Sequence, residues 1–218
     1  MTRLILASSS PRRSQLLRGA GFAFEVVAPR PGAEPEIATD STLQSLDPPG
    51  LVAQLARLKA MDVADQLAAN VADAPLGDAG VILAADTIAE CDGRVLGKPR
   101  DEADARDMLT WLSGREHRVL TGVCVIAYSA HAEQAGRLSF AEPRVEVDIT
   151  TLQMAPLDTG WVEPYLASGL WRGKAGAFGF QDGLNFVQVL TGSETNVVGL
   201  PMQRVTVLLS ELGCSATR

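Results

Sequence analysis

The chain has 218 residues, 46% of them hydrophobic and 21% charged, which is typical of a globular protein and not of a disordered or fibrous one. Its 26 acidic and 19 basic residues give a net charge of −7, which argues against general affinity for nucleic acid or an anionic membrane. Three scattered cysteines argue against a disulfide framework, and the apolar run near the start is too short for a signal peptide. We therefore expect a cytoplasmic protein with a small-molecule partner.

The first fifty residues predict a strand, a helix, a second strand and a long loop. Residues 3–7 (RLILA) are typical of a buried strand, and Ser10 followed by Pro11 is typical of a helix start. The segment FEVVA at 24–28 predicts the second strand. Residues 29–50 are rich in proline and acidic side chains and predict a loop of low order, long enough to be functional or mobile.

The middle of the chain predicts a helix, a central strand and a hairpin. The apolar spacing over 50–69 indicates an amphipathic helix with Lys59 beside its apolar face. The run VILAA at 81–85 is typical of a strand buried on both faces, and Asp86 follows it directly. The dipeptide Asp-Gly at 92–93 predicts the turn of a hairpin. Asp86 is therefore expected at the carboxyl end of a central strand.

The remaining elements continue the alternation. In chain order we predict a helix from Asp101 to Gly114, strands at 119–126 and 145–152 joined by a polar connector at 129–143, a helix at 158–167, a glycine-rich segment at 169–183, a strand at 186–190 and a last helix over 199–213. The alternation of strands and helices indicates an α/β protein.

The segment SSSPRR at 8–13 contains groups that hold phosphate. It combines the exposed amides of a helix N-terminus with three hydroxyls and the guanidiniums of Arg12 and Arg13. A capped helix with two solvent-facing arginines explains the same residues equally well. Both interpretations stay open on the sequence.

Three further positions carry side chains that could take part in ligand binding or catalysis. Asp86 can bind Mg²⁺ or accept a proton from water, although a turn aspartate bonded to its own loop is the alternative. Lys98 in LGKP can neutralise phosphate charge or be a plain surface lysine. Gln181 ends a glycine-punctuated turn that begins at Lys174, and its amide can both donate and accept, as recognition of a base edge requires.

Other titratable residues give weaker signals. Glu34, Glu36 and Asp40 in the long loop are candidate metal ligands or bases, unless that loop is simply solvated. His117 and His131 are isolated in the sequence. They give little support to a zinc centre or to a histidine-based triad.

Five segments in this order and spacing resemble the Maf family of nucleoside triphosphate pyrophosphatases: LASSSPRRSQLL, LAADT, LGKPRDEADARDMLTWLSGREHRVLTGV, GKAGAFGFQ and SETNVVGLPM. The resemblance spans residues 3–212 and implies a single Maf-like catalytic domain over 1–218. It implies an ITPase-like α/β fold, with a long mixed sheet flanked by helices and a nucleotide cleft between two lobes. It also implies a cytoplasmic enzyme that uses Mg²⁺, Mn²⁺ or Co²⁺ and often forms a homodimer.

The resemblance also implies site residues. Asp86 matches the family's proton acceptor and metal-binding aspartate. Arg12, Thr87 and Gln181 fall on positions linked to substrate choice. The full set of substrate-binding residues that the resemblance implies is Ser8, Ser10, Arg12, Arg13, Lys59, Thr87, Lys98 and Gln181.

Glu34 matches a second metal-binding carboxylate, with Glu36 as the alternative because this sequence departs there from the family's usual acidic pair. The GFQ ending resembles the branch that acts on dTTP and UTP, whereas the branch acting on 7-methyl-GTP carries a different segment there. The resemblance therefore predicts hydrolysis of a pyrimidine triphosphate at the α-phosphorus, which gives the monophosphate and pyrophosphate.

Three alternatives stay open. The enzyme could hydrolyse other or methylated nucleotides. LASSSPRR also resembles the LAxGxxxR loop of sugar-phosphate nucleotidyltransferases, which expel pyrophosphate but need a sugar phosphate as acceptor. A nucleotide-binding regulator of cell division without essential turnover is the non-enzymatic alternative.

Overall fold

The computed structural model describes residues 2–33, 40–70, 79–130, 137–180 and 186–216. Within these ranges the chain forms eight strands of one sheet and seven α-helices. The strands are β1 (Arg3–Ala7), β2 (Glu25–Val26), β3 (Ala79–Cys91), β4 (Arg94–Leu96), β5 (Glu116–Ala130), β6 (Leu138–Phe140), β7 (Arg144–Met154) and β8 (Val187–Thr191). The helices are α1 (Pro11–Gly19), α2 (Ser41–Gln44), α3 (Pro48–Ala69), α4 (Glu102–Leu112), α5 (Thr159–Ser168), α6 (Glu194–Val198) and α7 (Met202–Glu211).

The sheet is mixed. Its strands follow the order β2-β1-β3-β5-β7-β8, with β4 paired to β3 and β6 paired to β5. Strand β1 is parallel to both β2 and β3, whereas β4 and β6 pair antiparallel with β3 and β5, and β7 with β8. The predicted α/β fold with a long mixed sheet flanked by helices is confirmed.

The chain divides into two compact units. The first comprises Met1–Asp86, Gly122–Val147 and Met202–Arg218. The second comprises Thr87–Thr121 and Asp148–Pro201. The peptide bond between Asp86 and Thr87 is therefore a boundary between the two units.

The core of the first unit forms where α3 packs on β1, β3 and β5. Asp47 caps this helix by accepting the Gly50 N–H at 2.8 Å, and the buried residues recur every three or four positions along it. At Gly122 of β5 a Cβ atom would lie 2.2 Å from the Val52 carbonyl oxygen. Glycine is required there because the backbone of α3 lies directly against the strand.

The core of the second unit is built around α4, α5 and the aromatic residues Trp171 and Phe178. Asp101 and Asp158 cap α4 and α5, and each carboxylate accepts a backbone N–H at 2.8 Å. The Trp171 indole N–H donates to the Leu166 carbonyl at 2.9 Å, so this large side chain is buried without an unpaired donor.

The three cysteines are buried free thiols. Cys124 and Cys214 belong to the first unit and Cys91 to the second. Burial raises the pKa of each thiol, and that of Cys124 reaches about 12. Within the described ranges, no helix combines the length and the apolar character needed to cross a bilayer.

Some elements differ from the sequence predictions. The second strand has only two residues, and α2 together with the first turn of α3 lies in the stretch predicted as a loop. Asp40 stabilises α2 by accepting the N–H groups of Thr42 and Leu43 at 2.9 and 3.0 Å. Strand β6 and helix α6 were not predicted, because segments of three and five residues are too short to show a hydrophobic period.

Candidate active site

The position of Asp86 is set by β3 and its neighbour β1. Ala7 at the end of β1 pairs with Ala84 of β3, so the segment that begins at Ser8 leaves the sheet beside Asp86. The prediction that Asp86 ends its strand is wrong, because β3 continues to Cys91 and turns into β4. Asp86 instead lies in the middle of β3, between the last parallel pair with β1, at Ala84, and the first hairpin pair with β4, at Ala89.

Lys59 and Asp86 form a buried ion pair. The Lys59 Nζ is 2.5 Å from the Asp86 Oδ1, and the two side chains are 4% and 9% exposed. Lys59 is on the face of α3 that covers the sheet, one turn from Ala56 and Val63, so its alkyl stem packs with apolar residues. Each charge compensates the other in surroundings where a single charge would be costly.

The SSSPRR segment forms a second polar cluster in the same unit. The Ser8 hydroxyl oxygen accepts from the Ser10 N–H and from the Arg13 guanidinium, both at 3.2 Å. Ser8 is 4% and Arg13 is 9% exposed, so the interpretation of two solvent-facing arginines is wrong for Arg13. Arg12 is half-buried.

The first turn of α1 carries positive charge where a helix favours negative charge. Pro11 occupies the first turn, Arg12 and Arg13 follow it, and the turn contains no acidic residue. Ser10 occupies the cap position without a side-chain cap bond. The helix dipole and both guanidiniums therefore favour an anion at this helix end.

The second unit carries other predicted residues. Thr87 is half-buried, and its hydroxyl oxygen lies 3.0 Å from that of Thr121. Lys98 is exposed after β4, and the preceding Gly97 carbonyl accepts the Gly176 N–H at 3.1 Å, which ties the glycine-rich segment to this loop. Lys174, in the same glycine-rich segment, is buried.

Four residues singled out in the sequence lie outside the described residues. These are Glu34, Glu36, His131 and Gln181. The other histidine, His117, is described and is buried against Phe178 with a ring-centroid distance of 5.5 Å, and burial lowers its pKa. A buried, neutral imidazole of this kind is a core residue and gives no sign of a catalytic role.

Asp86 is suited to a divalent cation that substrate phosphates share. Magnesium is commonly held by one or two carboxylates together with phosphate oxygens and water, so a cage of protein ligands is not required. Among the residues that the structure describes, no group of three or more His, Cys, Asp and Glu side chains forms such a cage. A single buried carboxylate such as that of Asp86 is a donor that such an ion can use.

Two buried polar residues, Thr121 and Asn196, were not predicted from the sequence. Thr121 is fully buried in β5 and donates to the Asn196 carbonyl at 3.1 Å. A hydroxyl inside the apolar run 119–126 is the signal that could have identified Thr121. Asn196 lies in the short helix α6, for which the sequence offered no periodic signal.

Comparison with known proteins places the chain in a family. A family model described as Maf-like protein matches residues 3–212. The chain belongs to the Maf family. A solved structure, the Ham1 protein of Staphylococcus aureus, aligns with 97% of this chain and 98% of its own, at 12% identity and a TM-score of 0.44.

Curated relatives match the chain at nearly full length. A dTTP/UTP pyrophosphatase of Rhodopirellula baltica is 43% identical over 99% of this chain and 84% of its own length. The enzyme of the same name from Sphingopyxis alaskensis is 39% identical, over 98% of both chains. The one from Carboxydothermus hydrogenoformans is 38% identical over 97% of this chain and 99% of its own. All three relatives carry the name dTTP/UTP pyrophosphatase.

Proposed function

We propose that this protein is a nucleoside triphosphate pyrophosphatase that hydrolyses dTTP and UTP to the monophosphate and pyrophosphate. The observation that carries the proposal is the buried Lys59–Asp86 pair beside the Ser8–Arg13 cluster, in a chain that matches dTTP/UTP pyrophosphatases along its whole length. The pair supplies a fixed carboxylate, and the cluster supplies groups that favour an anion.

The proposed reaction is attack of water on the α-phosphorus. The water oxygen forms a bond to the α-phosphorus, and the bond from that phosphorus to the oxygen bridging to the β-phosphorus breaks. Asp86 accepts the proton that the water loses, through its second oxygen, Oδ2. Lys59 holds Oδ1 at 2.5 Å and so fixes the orientation of the carboxylate during the transfer.

The negative charge that develops on the leaving pyrophosphate needs nearby cations. Arg12 and Arg13 at the start of α1 supply guanidiniums that bind phosphate oxygens in a bidentate manner, and the α1 amides add aligned dipoles. The proposed substrate-binding set is Ser8, Ser10, Arg12, Arg13, Lys59, Thr87, Lys98 and Gln181.

A divalent cation, with Mg²⁺ as the proposed ion, would be held by Asp86 and by Glu34. When bound it would neutralise phosphate charge and bring the triphosphate into a single geometry. Asp86 and Glu34 would then serve to orient the substrate as well as to balance the charge.

The first test measures which products form and which of them takes up ¹⁸O from water. The purified protein is incubated in ¹⁸O-water with Mg²⁺ and, separately, with dTTP, UTP, CTP, GTP and 7-methyl-GTP. Attack at the α-phosphorus places ¹⁸O in the monophosphate, whereas attack at the β-phosphorus places it in pyrophosphate. A diphosphate with orthophosphate would mean attack at the γ-phosphorus and would contradict the proposal.

The catalytic assignment is tested with Asp86→Asn, and Asp101→Asn serves as the matched control. Loss of a general base lowers the rate by about 10²- to 10⁴-fold. The control makes the same chemical change at a helix cap, where Asn is as good a cap as Asp, so it should keep full turnover. Near-normal turnover in folded Asp86→Asn would remove Asp86 from the mechanism.

The compartment and assembly are part of the same proposal. Three buried free thiols support a reducing compartment such as the cytoplasm. A homodimer, which the family resemblance implies, remains a prediction that light scattering on the purified protein would test.

A further inference from the structure

The segment that follows β2 is tied to α3 by two side chains of that helix. The Asp62 carboxylate accepts the Arg30 backbone N–H at 2.9 Å and the Arg30 Nε–H at 2.6 Å, one at each oxygen. The Gln66 amide donates to the Ala28 carbonyl at 3.0 Å and to Asp62 at 2.8 Å. Arg30 is therefore held at its main chain and at its side chain by the same carboxylate.

The Arg30 guanidinium is held in place and is nevertheless exposed. Its side chain is 58% exposed, whereas that of Asp62 is only 11% exposed. The contact uses Nε, and within the described part of the chain no other acceptor receives a hydrogen bond from the Arg30 side chain. The two terminal nitrogens of the guanidinium can therefore bind a second anion, in the bidentate manner that suits phosphate. An arginine that is already oriented loses less side-chain entropy when it binds.

The sheet topology places Arg30 at the same edge of the sheet as the candidate site. Strand β1 lies between β2 and β3 and is parallel to both. The carboxyl ends of parallel strands meet at one edge, where α/β proteins bind ligands. Arg30 follows β2, the Ser8–Arg13 cluster follows β1, and Asp86 comes two residues after the last pair of β3 with β1. All of these residues belong to the first unit.

Helix α3 connects Arg30 to the buried ion pair. Asp62, which holds Arg30, follows Lys59 by three positions, so the two side chains are neighbours on the helix with about 5 to 6 Å between their Cβ atoms. Lys59 contacts Asp86. The exposed guanidinium and the candidate catalytic carboxylate are thus attached to adjacent turns of one helix.

We propose that Arg30, held by Asp62, binds the terminal phosphate of the nucleoside triphosphate. The inference rests on the proposed function, which places the α-phosphate at Asp86, and it adds a residue that recognises the third phosphate. Neighbouring strands are about 4.8 Å apart, so the groups that follow β3, β1 and β2 form a row along the edge. A triphosphate that begins at Asp86 and passes the Ser8–Arg13 cluster has its γ-phosphate on the side of β2. A nucleoside diphosphate lacks the group that Arg30 binds.

The experiment measures how strongly the protein prefers a triphosphate to a diphosphate. Calorimetry in the presence of Mg²⁺ gives the Kd of α,β-imido-dTTP and of α,β-imido-dTDP, which differ only in the γ-phosphate and resist cleavage between the α- and β-phosphorus. Arg30→Met removes the charge and keeps an apolar stem. It should weaken binding of the triphosphate by about 3- to 10-fold, the loss of one charge-assisted contact that solvent partly screens, and leave that of the diphosphate unchanged.

Controls separate this contact from general effects of charge and folding. Arg106→Met removes another exposed arginine that pairs with carboxylates, those of Glu102 and Glu163 in the second unit, and should leave both Kd values unchanged. Arg30→Ala provides a second deletion of the guanidinium, and melting temperatures establish that each variant is folded. An equal loss for both analogues or no loss for either in folded Arg30→Met or Arg30→Ala would overturn the inference, as would a wild type that binds both analogues equally.

Binding separates this inference from the proposed function. Neither analogue has to be hydrolysed, so a preference for the triphosphate that Arg30→Met lowers would support the inference even if no nucleotide were turned over. The absence of hydrolysis would overturn the proposed function alone. Where dTTP and dTDP are hydrolysed, Arg30→Met should lower kcat/KM for dTTP by the same factor as the affinity and leave that for dTDP unchanged.

Discussion

The buried pair of Lys59 and Asp86 makes a quantitative prediction about stability. The two side chains are only 4% and 9% exposed, so water hydrates one charge poorly when the other is removed. Removal of one partner of such a pair costs about 3 to 5 kcal/mol. Asp86→Asn and Lys59→Met should each lower the free energy of unfolding by that amount. The double variant removes both charges and should be much closer to wild type.

The assay is a thermodynamic cycle of the four proteins, measured by urea and thermal unfolding with circular dichroism. For a chain of this length about 1 kcal/mol corresponds to about 2 to 4 °C, so each single variant should melt about 6 to 20 °C below wild type. Single variants within about 1 kcal/mol of wild type would refute the reasoning, and so would a double variant that shows the sum of the single losses. The turnover of Asp86→Asn must therefore be measured well below its own melting temperature.

Three other predictions concern single sites. Gly122→Ala places a Cβ 2.2 Å from the Val52 carbonyl oxygen and should lower the free energy of unfolding by about 1 to 3 kcal/mol or more. Gly19→Ala has open space around the new Cβ and should raise the free energy of unfolding by up to about 1 kcal/mol. Equal urea midpoints for the two variants would contradict this. Burial lowers the pKa of His117, so as pH falls the unfolded chain binds a proton at this residue before the folded chain does. The free energy of unfolding should therefore fall as pH drops below about 6.5. Melting temperatures of His117→Gln measured over the same pH range should lack this fall. Asp101→Ala should cost about 1 kcal/mol in urea unfolding, and a loss near zero would mean that the cap bond contributes little.

The sequence predicted elements that have strong local signals and missed those that depend on distant partners. Helix α3 was predictable over most of its length because its apolar residues recur at helical spacing. The full length of β3 was not, because Asp86 interrupts the apolar run and only pairing with neighbouring strands carries the strand through it. Strand β6 pairs with β5, and its own three residues, LSF, alternate but are too few to predict a strand.

The same distinction applies to the candidate site. The phosphate-binding character of SSSPRR was visible locally, but the burial of Arg13 was not, because it depends on the turn that brings Ser8 beside the guanidinium. The contact between Lys59 and Asp86 joins residues 27 positions apart on a helix and a strand, so spacing gives no sign of it. Only the register of α3 on the sheet creates this contact.

Each compact unit contains at least one buried cysteine whose labelling can follow the opening of that unit. Cys91 lies in one unit, and Cys124 and Cys214 lie in the other, all of them shielded from solvent. A thiol reagent can modify them only during an opening event, so labelling followed by mass spectrometry records when each unit opens. The rate at which each cysteine is labelled therefore measures how often its unit opens, without an engineered probe.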